Sequence, residues 1–198
     1  MNKSVALAFI LTACAAAYAE AGSEHAFGQA AGNCGGVWKL PDTGQTVHYS
    51  TAPGDDSDYR PAAVQPRYEV KNPVGISSVT VDNITGLVWV TNPVDAARSG
   101  MYAWDGALGA CETLVYANYS DWRLPNVKEL QSIIDFGTAA SAKINGAYFM
   151  NTQVTVYWSA TTFFPNTLNA WLVSFALGSI SNSVKTGPTY IRCVRGGP

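Results

Sequence analysis

Glu112, Asp121, Glu129 and Asp135 are the carboxylates close enough along this 198-residue chain to be weighed as an acid–base pair. A glycosidase needs two such groups facing one bond. Asn126 stands three residues before Glu129 in the pattern of a capping box, so Glu129 reads as a helix cap before it reads as an acid or base. Helix surface accounts for the others. His25 and His48 are the only histidines, and both fall in an irregular N-terminal stretch. A catalytic triad or an imidazole-bound zinc in the folded part is therefore nearly excluded. No CxxC pair, phosphate-cradling loop or dinucleotide fingerprint occurs. Asp55, Asp56 and Asp58 offer oxygens to Ca²⁺ at short spacing. Without the remaining ligands of a calcium loop or its closing Glu, a solvated acidic turn is the better reading. No cofactor and no catalysis are expected.

What remains is binding chemistry. Residues 20–135 hold all fourteen acids and seven bases, whereas residues 136–198 hold no acid and four bases: Lys143, Lys185, Arg192 and Arg195. Such a segment either is a chance gap in a weakly charged chain or presents a positive field to an anionic polymer. Four bases are few for neutralising a DNA backbone, so nucleic acid is not the expected partner. Phe163, Phe164 and Asn166 add two aromatics and an amide at a hairpin tip, where stacking on a sugar ring is feasible.

Export is written at the start. Lys3 precedes an almost continuous apolar run over residues 5–16, and Ala17-Tyr18-Ala19 is a small-x-small cleavage site. Residues 1–19 thus read as a signal peptide, too short to be a membrane span. Leu11-Thr12-Ala13-Cys14 is a competing lipobox, in which Cys14 would be diacylated and tether the chain to a membrane. The destination is the periplasm, the outer membrane and cell surface, or the medium. Cys34, Cys111 and Cys193 then remain in an oxidising compartment, an odd number for pairing.

The elements that position these groups follow from spacing. Residues 20–66 read as an irregular acidic extension and 67–198 as the folded domain, with regular structure expected from about Ser78. Val79-Thr80-Val81 and Leu87-Val88-Trp89 flank Asp82-Asn83-Ile84-Thr85-Gly86 as a hairpin. Trp104, Leu108, Cys111 and Val115 recur at helical spacing and are expected on one buried face. A second helix starts at Asn126, carries Val127, Leu130, Ile133 and Ile134 inward, and ends by Gly137. Strands are expected over residues 154–161, 170–175, 178–184 and 190–194, with Trp158 and Trp171 more plausibly core than ligand platform. The class is α+β, two helices beside an antiparallel sheet.

In order along the chain stand DNITGLVW (82–89), WDGALGACETL (104–114), YSDWRLPNVKEL (119–130), YWSAT (157–161), NAWLVSF (169–175) and YIRCVRGG (190–197). These blocks resemble the family typified by the C-terminal domain of the collagen-like adhesin Lcl, over about residues 67–197. The resemblance implies a C-type-lectin-like fold, with two helices packed on a twisted antiparallel sheet and the chain ends brought together. It also implies a disulfide from the first helix to the last strand, at Cys111 and Cys193, leaving Cys34 as the odd thiol. Asp121-Trp122-Arg123-Leu124-Pro125 is expected to be architectural: Trp122 buried, Asp121 and Arg123 bonding backbone groups, and Asn126 with Glu129 capping. Neither a Glu-Pro-Asn nor a Trp-Asn-Asp run of Ca²⁺-dependent lectins is present; Leu124-Pro125-Asn126 and Asn169-Ala170-Trp171 do not substitute. Two functions follow as expectations: a binding or adhesion module for glycans, plausibly anionic, or an envelope component whose partner is a protein.

Overall fold

The computed structural model describes residues 41–47, 49, 53, 55–59, 67–74 and 77–196. The signal segment, Cys14, His25, Cys34 and His48 lie outside the described residues, as does the side chain of Asp58.

Among the described residues, two sheets, two short α-helices and a 3-10 turn make a mixed α+β domain. The first sheet has the order β1-β2-β3-β9 and the second the order β4-β8-β5-β6-β7. Their strands are β1 Tyr68–Val74, β2 Ser77–Asp82, β3 Leu87–Val90, β4 Met101–Tyr102, β5 Val156–Thr162, β6 Asn169–Ser174, β7 Ser179–Val184, β8 Thr189–Tyr190 and β9 Val194–Gly196. The expected hairpin is β2–β3. Asp82 holds its turn by accepting the amides of Ile84 and Thr85, and Gly86 supplies the left-handed backbone, φ 72°, that the exit needs.

Three expectations are corrected. Among the described residues a single 3-10 turn stands at Asp56–Tyr59 and the first strand starts at Tyr68, not near Ser78: β1 carries Pro73, a residue that argues against a strand but is tolerated at a sheet edge, where β1 lies. The single strand expected over 190–194 is two strands in different sheets, with Ile191, Arg192 and Cys193 crossing between them. The second sheet is also not wholly antiparallel, since β5 and β8 run parallel.

Helix α1, Trp104–Glu112, has no side-chain cap and two internal glycines, so its intrinsic stability is low. Ala107 and Cys111 are its buried residues, and tertiary contact supplies what propensity does not. It ends before Val115, which is 76% exposed, so the expected stripe stops one turn early. Helix α2, Val127–Gln131, begins with a complete capping box: Asn126 Oδ1 accepts the amides of Lys128 and Glu129, while Glu129 accepts the amide of Asn126. Leu130 is buried on it, and Ile133 and Ile134 are buried in the turn beyond its end.

Alternation divides the core in two. On β5 and β6 the facing pair Trp158 and Leu172 enters one cluster with Val79, Ala107, Cys111 and Trp122. The next pair, Tyr157 and Val173, enters a second cluster with Leu87, Trp89, Leu130 and Phe175. Both sheet faces are therefore buried at the centre, which is why these strands read as nearly continuous apolar runs.

Candidate binding surface

The Asp121–Pro125 run forms a seam. Arg123 and Val194 exchange backbone hydrogen bonds of 2.8 and 2.9 Å, so the run lies along the outer side of β9. The Arg123 guanidinium grips Glu129 with two bonds of 2.7 Å and reaches the carbonyl of Gly196. Trp122 is buried and donates Nε1–H to the carbonyl of Tyr116. The carbonyl of buried Pro125 accepts the amide of Ala160 on β5 at 2.7 Å. Asp121 binds the Arg195 side chain rather than a backbone group, at 2.6 Å. The two carboxylates are occupied in tying the run to β9 and α2, while the Pro125 carbonyl ties it to β5.

Arg195, stacked 3.8 Å over the ring of Tyr119, holds the Asp121 carboxyl below the usual carboxylate range by hydrogen bonding to it. For a depressed carboxylate the stabilisation is complete above the unfolded pKa and is lost as pH falls through the folded one. Asp121 is 57% exposed, so screening keeps the pair small. Asp121→Asn should cost less than about 1 kcal/mol of stability at neutral pH, read from the urea midpoint, and nothing measurable in strong acid. A neutral-pH loss several times larger would show that the seam depends on this outer pair.

The four cations of the acid-free segment do not form a shared face by their contacts. Arg192 is corrected as a ligand residue: it is 1% exposed, its two terminal nitrogens donate to interior acceptors, and its buried Nε has no partner. Arg195 is paired with Asp121. Lys185 lies 3.9 Å over the ring of Trp104 and donates to Thr162 Oγ1 at 2.9 Å. Lys143 donates to the carbonyls of Thr138 and Ala140. Among the described acidic residues, Asp55 accepts from Gln45, Tyr49 and Ser57, and Asp56 from Thr43. No group of three or more His, Cys, Asp or Glu suited to a metal occurs among the described residues.

The β5–β6 connection, residues 163–168, has a different character. Phe163 packs edge-on against Trp171, with ring centroids 4.9 Å apart. Phe164 is 90% exposed and Leu168 is also exposed. Asn166 accepts the amide of Leu168 and donates its own amide to the carbonyl of Phe163, so it shapes the turn. Asn169 and Trp171 share a face of β6, and Asn169 Nδ2 donates to Asn182 Oδ1 on β7 at 2.8 Å. Asn169 Oδ1 has no partner although it is shielded from solvent. Trp158, by contrast, is core and donates Nε1–H to the carbonyl of Tyr102. Trp171 is half-buried, not core; its i, i+2 relation to Asn169 was the available signal, and only the register with Asn182 shows what it meant.

A second, polar hollow of about 330 Å³ is lined by Gly44, Thr46, Asp135, Gly137, Thr138, Asn145 and Gly146. Its one carboxylate is Asp135, which accepts the amide of Gly137. The two walls are so close at Gly137 that a Cβ there would stand 1.8 Å from the carbonyl oxygen of Gly44.

Residues 78–195 match the model of the family described as the Lcl C-terminal domain. No curated protein matches the chain. No described helix is long and apolar enough to cross a membrane.

Proposed function

The chain belongs to the Lcl C-terminal domain family, and from that premise we propose an exported, non-catalytic adhesion module that holds a glycan at the β5–β6 hairpin. The observation that carries this is Phe163 braced against Trp171 with Phe164 projecting beside them, next to the amides of Asn169 and Asn182. Rings present flat apolar faces to sugar C–H groups, and amides meet hydroxyls as both donors and acceptors. The same reading takes the fold as C-type-lectin-like. In support, a disulfide ties α1 to the crossing before β9, and β9 returns beside the β2–β3 hairpin. The lack of catalysis is supported by Glu129 and Asp121 being engaged with Arg123 and Arg195.

The charge argument for an anionic polymer is weaker than the aromatic one, because Arg192 is interior and Arg195 is neutralised. Retention on a glycan array or heparin column should therefore depend only mildly on salt. Phe164→Ala should lower affinity roughly tenfold, about the worth of one aromatic contact, without changing the melting temperature. Retention that vanishes at moderate salt, or that ignores Phe164→Ala, removes the hairpin as the site.

A further inference from the structure

Among the described residues, three of the four sheet edges are guarded. β1 carries Glu69, Lys71 and Pro73; β4 is two residues long; β9 has the Arg123 segment along its outer side. Charge, proline, shortness and cover are the devices that keep edges from pairing. β7, Ser179–Val184, shows none of them among the described residues. It runs six residues in unbroken register with β6, reads SISNSV, and all but Ser183 are exposed.

We infer that β7 is the homodimer edge, pairing antiparallel with β7 of a second copy. This pairing rests on the backbone edge and not on the glycan reading, although both use Asn182, whose side chain that reading places beside the hairpin. The Lys185 amide donates to the Leu168 carbonyl at 2.9 Å, which sets the phase of the β6–β7 ladder. In that phase the backbone groups of Ile180, Asn182 and Val184 turn outward. A two-fold axis through Asn182 matches these outward residues to each other: Asn182 faces Asn182, and Ile180 faces Val184. Ile180 and Val184, both exposed in the single copy, become apolar cross-strand neighbours. Asn182 is already held by Asn169, so its pairing costs little additional ordering. A second copy fits better than a foreign strand because the edge carries no charge: identical strands then meet without like charges opposed, and the contact is self-complementary and closed. Two five-stranded sheets become one continuous sheet.

Sedimentation equilibrium on the mature protein should show a monomer–dimer equilibrium. Asn182→Lys puts two cations face to face and should weaken the dimer at least tenfold, and Asn182→Asp should do the same. Mixing the two variants should restore dimer, because the heterodimer opposes Lys to Asp; circular dichroism on each variant confirms that it is folded. A wild type that stays monomeric, a higher oligomer, or a dimer untouched by Asn182→Lys overturns the inference. So does failure of the mixture to recover dimer.

Discussion

Replacing both Cys111 and Cys193 by alanine should cost about 4.5 kcal/mol of stability, the chain-entropy worth of a cross-link closing this loop, less any strain relieved. The two positions are 82 residues apart and their Cα atoms 5.5 Å apart, in a geometry a disulfide accepts. Against a total stability of roughly 5–15 kcal/mol for a domain, that loss is large. It corresponds to a fall of roughly 10–15 °C in melting temperature for a chain of this size. The cost concentrates on α1, which has weak propensity and no side-chain cap, and on the Ile191–Cys193 crossing. Both sulfurs are buried against Ala107, Trp122 and Leu172, so reductant should act slowly on the native protein and fast once urea has opened it. Scanning calorimetry of the double variant beside the wild type measures the loss. A change below about 1 kcal/mol would mean that packing, not the cross-link, holds helix to crossing.

Much of the framework was legible because it rests on local rules. The β2–β3 hairpin followed from apolar alternation around Asp82 and Gly86, and α2 from the Asn126–Glu129 spacing. The disulfide came with the family resemblance, and Cys111 does lie buried on a helix. What failed depended on distant partners. Pro73 hid β1, since an edge position is a property of the sheet and not of the residue. The stripe through Val115 assumed a helix that the chain ends three residues earlier.

The candidate surface was half legible for the same reason. Aromatics at a hairpin tip can be read from Phe163-Phe164-Pro165, and Phe164 is indeed exposed. The bracing of Phe163 by Trp171 and the amide pair across β6–β7 need the register. Most instructive is Arg192. A lone cation in an acid-free stretch looks like ligand chemistry, because a buried guanidinium without a carboxylate is costly and sequence reasoning discounts it. Here backbone carbonyls answer it instead, and their direction is invisible until the chain is folded.

Arg192→Met should accordingly destabilise the domain by roughly 3–5 kcal/mol, the range for breaking a buried charged network from one side. The guanidinium donates to the carbonyls of Val90 and Thr91 at 2.7 and 3.0 Å, to that of Met150 at 3.2 Å, and to Thr152 Oγ1 at 2.7 Å. It thereby ties the end of β3 and the long loop before β5 to the crossing between sheets. Burial pushes its pKa down to about 10, so the group is still charged at neutral pH. Replacing an ion pair with apolar residues on both sides can be neutral, but here the acceptors are mostly main chain and stay behind without donors. A methionine fills the volume and satisfies none of them, whereas Arg192→Lys keeps a charge without the planar fork and should lose less. Lys143→Ala, at a half-buried cation whose long bonds reach only the Thr138 and Ala140 carbonyls, should stay within about 1 kcal/mol and serves as the comparison. Urea midpoints of the three variants order the effects. Equal, small losses for Arg192→Met and Lys143→Ala would return Arg192 to the surface.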